Sequence, residues 1–268
     1  MNTMSITRAF RSEFLLLNRV RMWAIAGLTT VAFTVAATAL LTATATPIAD
    51  GGVGDGIPLD LFSGPGGATV AVSWSVAFGF ILLLAAFTSR IGNEFSRGTF
   101  RTALLHHHGR GSLIGGKTAA LMAVTMVLLV IALVTGAATA TAVAGIEGID
   151  TAGWFGTEAL GDTAIDFVRM LGWASGFALI GTMLAVVVRS TPIALGIGLL
   201  WFGPIENIIG EGRQFAQRWF PGQLLRAIVA PDAPDVVSTA TAATTLAAYA
   251  AVCVAIVATV IHRRDVTA

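Results

Sequence analysis

Charge is scarce in this chain. Only 12% of its 268 residues are Asp, Glu, Lys or Arg, against roughly 25% in soluble globular domains. With 55% hydrophobic residues and a mean hydropathy of +0.81, the deficit excludes an ordinary soluble domain. Cysteine is almost missing too. Cys253 stands alone inside an apolar run, which excludes a disulfide framework and a cysteine-based metal site. Histidine is limited to His106, His107, His108 and His262. Acid–base chemistry therefore lacks its usual carrier over most of the chain, and no Ser, His and Asp pattern suggests a catalytic site. Lysine occurs once, as Lys117, beside 15 arginines. With the heavy use of Ala, Val and Gly, this points to a GC-rich bacterial genome.

What is present is apolar sequence in blocks long enough to cross a bilayer, which takes roughly 20 helical residues. The pattern predicts an all-α membrane protein forming a single transmembrane domain over 1–268. Six spans are expected, at about 22–45, 68–89, 113–144, 166–188, 192–209 and 236–261. Before the first, Ile6, Phe10, Phe14 and Leu17 recur at helical spacing opposite Arg8, Arg11 and Glu13. That spacing predicts an amphipathic helix over 5–21 lying in the membrane interface. The apolar run that follows, about 24 residues, exceeds the 7–15 of a signal-peptide core.

Six spans place both termini on one side, and charge names the side. Basic residues resist translocation and gather in cytoplasmic segments. Arg8, Arg11, Arg19, Arg21, Arg90, Arg97, Arg101, Arg110, Lys117, Arg189, Arg263 and Arg264 share one side; Arg169, Arg213, Arg218 and Arg226 fall on the other. Carboxylates show the reverse bias. Both termini are expected to be cytoplasmic, in a bacterial cytoplasmic membrane.

Between spans two and three lies a compact polar segment, Arg90 to Lys117, with five basic residues, three histidines and one carboxylate, Glu94. Phe95, Thr99 or Phe100, and Leu104 can share one face of a short helix, with Arg97, Arg101 and Glu94 pointing elsewhere. Gly98 allows a bend or a close backbone approach. In order, the segment reads Glu94-Phe95, Gly98-Thr99, Leu104-Leu105, Arg110, then Gly116-Lys117 leading into span three. This series resembles the signature of ABC type-2 exporter permeases, and the basic amphipathic start, six spans and short link Arg189-Ser190-Thr191-Pro192 resemble their architecture. One departure is His106-His107-His108-Gly109, where the family often carries a small residue and proline.

The resemblance implies that 90–112 forms a coupling helix seated in a groove of a separate ATPase. Glu94 and Arg97 would then make ionic contacts and Phe95 and Phe100 act as apolar anchors, with Gly98, Thr99, Arg101 and Leu104 also in the docking segment. It also implies two ATPase copies carrying ATP and Mg, a second permease copy or a related permease, and interfacial or re-entrant helices before span six. No cofactor is expected on this chain, and no nucleic-acid partner. The cargo implied by largely apolar spans is amphipathic or hydrophobic: a drug, peptide or lipid-like molecule. A membrane-embedded enzyme or a non-transporting anchor or sensor are the alternatives. An enzyme would need paired carboxylates or histidines on facing spans.

Other features have a functional and a structural reading. Gly111 to Thr118 matches G-x-x-x-x-G-K-[ST], yet that motif needs a preceding strand and a soluble α/β core. Lys117 is expected to snorkel at the membrane boundary instead. The adjacent histidines point in different directions on a helix and are expected to hold no metal. Asp166 and Arg169, three apart, can pair on one helix face. Gly203-Pro204 should break span five, leaving Glu206 beyond it. Glu206 joins Phe215, Trp219 and Phe220 as candidates for an outer gate. Gly172, Gly176, Gly196 and Gly198 offer close-packing surfaces between helices.

Overall fold

A computed structural model describes residues 3–45, 57–99, 109–210, 213–233 and 236–263. Among them the protein is all-helical. The elements are α1 (Thr3–Leu17), α2 (Val20–Ala43), α3 (Gly67–Phe78), α4 (Phe80–Ser96), α5 (Arg110–Glu147), α6 (Thr157–Val188), α7 (Thr191–Leu200), α8 (Glu206–Gly210), α9 (Gln214–Trp219), α10 (Pro221–Val229) and α11 (Thr239–Arg263). Short 3-10 turns at Leu59–Phe62 and Ala152–Phe155 cap one end of the bundle.

Among the described residues five segments are long and apolar enough to cross a membrane: α2, α5, α6, the stretch Thr191–Gly210, and α11. The α3–α4 pair passes the same test only when taken together, because the two helices meet at Gly79 with a 47° bend. Helices outlast the hydropathy that announces them. α6 begins at Thr157, nine residues before the expected span, since its exposed polar first turns still complete their backbone bonds. α5 runs 38 residues, about 57 Å, against a hydrocarbon core of about 30 Å.

Gly203-Pro204 does not break the fifth expected span, which the structure carries through as Thr191–Gly210. The backbone widens into a π turn, Trp201–Ile205, that carries Pro204 within it and continues into α8. A π turn displaces the usual bonding by one residue, which accommodates a proline that cannot donate.

The main core lies where α3, α4, α6 and α10 converge. Val72, Leu84, Met170, Trp173, Phe177, Phe202 and Leu225 form it, with Phe177 edge-on to Phe202 at 5.1 Å and to Trp173 at 5.2 Å. Glycine sets the approach of helices at selected positions. A Cβ on Gly176 would overlap the Leu225 side chain of α10, and one on Gly198 would overlap Leu84 of α4. Gly172 has ordinary clearance from Ile228. Gly196, by contrast, faces open space. Within this chain it packs against nothing, because α7 turns that face outward.

α1 differs from the expected surface helix in one respect. Glu13 is not opposite the buried face; it is on it, 1% exposed, with Ala9 and Leu17. The whole helix lies along α5, and Gly116 makes this possible. A Cβ there would come within 2.5 Å of the Ala9 Cβ and 2.8 Å of the Phe10 nitrogen.

Candidate functional site

Four charged side chains meet where α1, α4 and α5 converge. Lys117 Nζ donates to Glu13 Oε2 at 2.7 Å and to Glu94 Oε1 at 2.6 Å. Arg90 approaches Glu13 Oε1 through Nε and NH2, both at 2.5 Å. Two cations and two carboxylates leave the cluster electrically neutral. Its centre is dry: the Lys117 side chain is 8% exposed and that of Glu13 2%. Lys117 therefore does not snorkel. A lysine with two carboxylates in reach is better satisfied inside than at a headgroup boundary, since charges leave water only when paired.

The same end of α4 is held from a second direction. Thr191 Oγ1 donates to Asn93 Oδ1 at 3.1 Å, and Ser96 Oγ donates to the Arg189 carbonyl at 3.3 Å. The Arg189 guanidinium stands 5.7 Å from the Phe95 ring centroid, within cation–π range. Arg189 adopts φ 56°, the left-handed conformation that ends α6 before α7 starts. α4 itself stops by the same device. Gly98 has φ +70°, and its amide donates to the Phe95 carbonyl at 3.2 Å.

The docking candidates therefore divide. Glu94 is engaged by Lys117, and Phe95 is half-buried against Ile91, Leu113 and Ala185. Within this chain both side chains contact its own helices, Glu94 through Lys117 of α5 and Phe95 through the apolar cluster that includes Leu113 and Ala185. Arg97, Gly98 and Thr99 are exposed beyond the helix end. Phe100, Arg101 and Leu104 lie outside the described residues, as do the three consecutive histidines. The phosphate-loop look-alike, Gly111 to Thr118, is wholly helical. Beyond its first turn, the helix's own carbonyls take its amides, leaving no open cradle for phosphate.

At the opposite end of the bundle, Glu206 is 2% exposed. Its carboxylate accepts from the Trp201 indole at 2.6 Å and from the amides of Gly222 at 3.2 Å and Gln223 at 3.1 Å. Those amides open α10, whose preceding residue Phe220 has no side chain able to cap them. Glu206 thus supplies the cap from another element. Asp166 plays a similar bridging role. It accepts from Arg169 at 2.9 Å and from the Thr69 hydroxyl of α3 at 2.5 Å.

Of the outer-gate candidates, Trp219 and Phe220 line a groove of about 750 Å³ between α6, α7 and α11, together with Trp201 and Tyr249 among others. Phe215 stacks edge-on against Phe220 at 6.2 Å and is otherwise exposed. A second cavity, of about 500 Å³, lies between α2, α4 and α5 and reaches Arg90. Among the described residues no group of three or more His, Cys, Asp or Glu is placed to hold a metal ion.

No protein-family model matches this chain, and no curated protein matches it in sequence.

Sequence reasoning missed Glu13, Gly116 and Arg90 as members of one site. Their signal was faint but readable: a single acid on an otherwise basic amphipathic helix, and a glycine beside the only lysine.

Proposed function

We propose that this protein is the membrane subunit of an ATP-driven exporter of the ABC type-2 permease kind, crossing the membrane six times with both termini in the cytoplasm. It works as a pair of permease subunits with a separate ATPase, and moves an amphipathic or hydrophobic cargo outward. One observation supports this reading above the others. Of the residues that carry the resemblance, Glu94-Phe95, Gly98 and Gly116-Lys117 occupy one mechanical junction. Glu94 bonds Lys117 across α4 and α5, Gly116 seats α1, and Gly98 ends α4 so that the chain leaves at an exposed tip. A push on that tip is delivered to three helices at once through short, charge-assisted bonds. The α7–α8 segment joins them through Asn93 and Thr191.

The test is purification of the full chain from its native membrane, with identification of any co-purifying ATP-binding-cassette ATPase by its nucleotide-binding motifs. The wild type is expected to retain such a subunit. Arg97→Glu, at the exposed end of α4, is expected to weaken retention about tenfold, the effect of roughly 1.4 kcal/mol, with unchanged thermal stability. Absence of any ATPase from the wild type, or full retention by Arg97→Glu together with Gly98→Trp, overturns the reading.

A further inference from the structure

α2 packs along α3 and α5, whereas α4 departs from α3 at 47°. The bend opens a wedge between α2, α4 and α5. Its cavity of about 500 Å³ falls in the range of roughly 300–1,000 Å³ usual for small-molecule sites. Along α4, Leu82, Ala86, Arg90 and Asn93 follow at three- and four-residue steps and line the wedge as a single stripe. The lining therefore changes from aliphatic to polar along one direction. Phe33 of α2 and Leu128 of α5 extend the apolar part.

Charge in the wedge is one-sided even though the ionic cluster beside it is neutral. Glu13, Glu94 and Lys117 do not line the cavity; Arg90 does, with a side chain 35% exposed. The two carboxylates are drawn inward onto Lys117. Glu13 takes Arg90 through Nε and NH2 alone, and a guanidinium has five N–H donors. Donors are thus left over for a second anion, on a side chain that lines the wedge.

We propose that this wedge binds a single-chain anionic amphiphile of the fatty-acid type. Its anionic head pairs with Arg90, and its aliphatic tail lies between Phe33, Leu82 and Leu128. The site is too small for two long chains, and its only charged wall repels a cationic head. The proposal rests on the exporter reading for the fate of the ligand, not for its binding.

The test uses the full chain in phosphatidylcholine nanodiscs, labelled with a photoactivatable dodecanoate and mapped by peptide mass spectrometry. Labelling is expected within 20–43, 80–96 and 121–132, the three walls of the wedge. Unlabelled dodecanoate should compete at least about tenfold better than dodecyltrimethylammonium, a difference of roughly 1.4 kcal/mol. Ala86→Trp, which places an indole in the wedge one turn from Arg90, should abolish labelling. Arg90→Gln should erase the preference for the anionic head, and Arg90→Lys should keep it, so a folding defect in the first is recognisable. Labelling confined to other segments, equal competition by the ammonium, undiminished labelling of Ala86→Trp, or equal competition per mole by phosphatidylglycerol would each overturn the proposal. Labelling without a co-purifying ATPase removes the exporter and leaves this site. The converse result removes this site and leaves the exporter.

Discussion

Lys117 Nζ sits 2.7 Å from Glu13 Oε2, joining residues 104 positions apart where both side chains are nearly sealed from solvent. The pairing fastens α1 to the start of α5, and Glu94 on the other side of Lys117 adds α4. Removing one partner from a buried pair leaves an uncompensated charge, at a cost of about 3–5 kcal/mol. Lys117→Met is therefore expected to lower stability by about that amount in thermal or denaturant unfolding of the detergent-solubilised protein. Glu13→Gln in the same chain should recover part of the loss. A double-mutant cycle giving less than about 0.5 kcal/mol of coupling would mean that the two positions act independently.

The cluster also shows how far the sequence could be read. The helical blocks and the basic amphipathic start were legible because composition and a 3.6-residue period carry them directly. Glu13 was misplaced because an isolated acid on a basic helix reads as solvated. Only the tertiary approach of Arg90 and Lys117 makes its burial favourable. Lys117 was misread for the mirror reason: a lone lysine beside an apolar run looks like a boundary marker until two carboxylates are found within reach. The bend at Gly79 was illegible, since Gly67 to Ser96 reads as one continuous apolar run followed by charge. The wedge that the bend creates was illegible with it.

Glu206 caps a helix to which it is not covalently adjacent, and this has a measurable signature. Glu206→Ala strands the Gly222 and Gln223 amides and the Trp201 indole. Loss of a cap costs about 0.5–2 kcal/mol, and each buried group left unbonded about 1–3 kcal/mol. A loss of roughly 3 kcal/mol is expected in unfolding. Glu206→Gln keeps an acceptor oxygen and should lose clearly less. Gly222→Ala tests the same contact from the other side, because its Cβ would overlap the Glu206 carboxylate. Combined with Glu206→Ala, it should cost less than the two single changes together.

Two glycines proposed for helix packing should respond with opposite sign. Gly176→Ala drives a methyl into Leu225, and overpacking of this kind costs about 1–3 kcal/mol. Gly196→Ala meets no atom within 4 Å, so it should gain about 0.5–1 kcal/mol from helix propensity. Unfolding of the two variants in the same detergent decides the point. If Gly196 also forms a contact between two copies of the chain, its alanine variant shifts the protein toward monomer in sedimentation.

The bent pair α3–α4 decides the number of crossings, and two exposed positions can report on it. Ser63 precedes α3 and Arg97 follows α4, both accessible to reagent. Cys253 is the only native cysteine, so Cys253→Ala gives a background free of thiols. If the pair is one span bent by Gly79, Ser63→Cys reacts with a membrane-impermeant maleimide from outside intact cells and Arg97→Cys does not. Glu158→Cys, at the start of α6 and beyond the far end of α5, should react with Ser63→Cys. Reaction of Ser63→Cys and Arg97→Cys from the same side would make the pair a re-entrant loop. Five crossings would then set the termini on opposite sides of the membrane. Arg8, Arg11, Arg19 and Arg21 would no longer share a side with Arg189 and Arg263, which the bias of basic residues toward the cytoplasm disfavours.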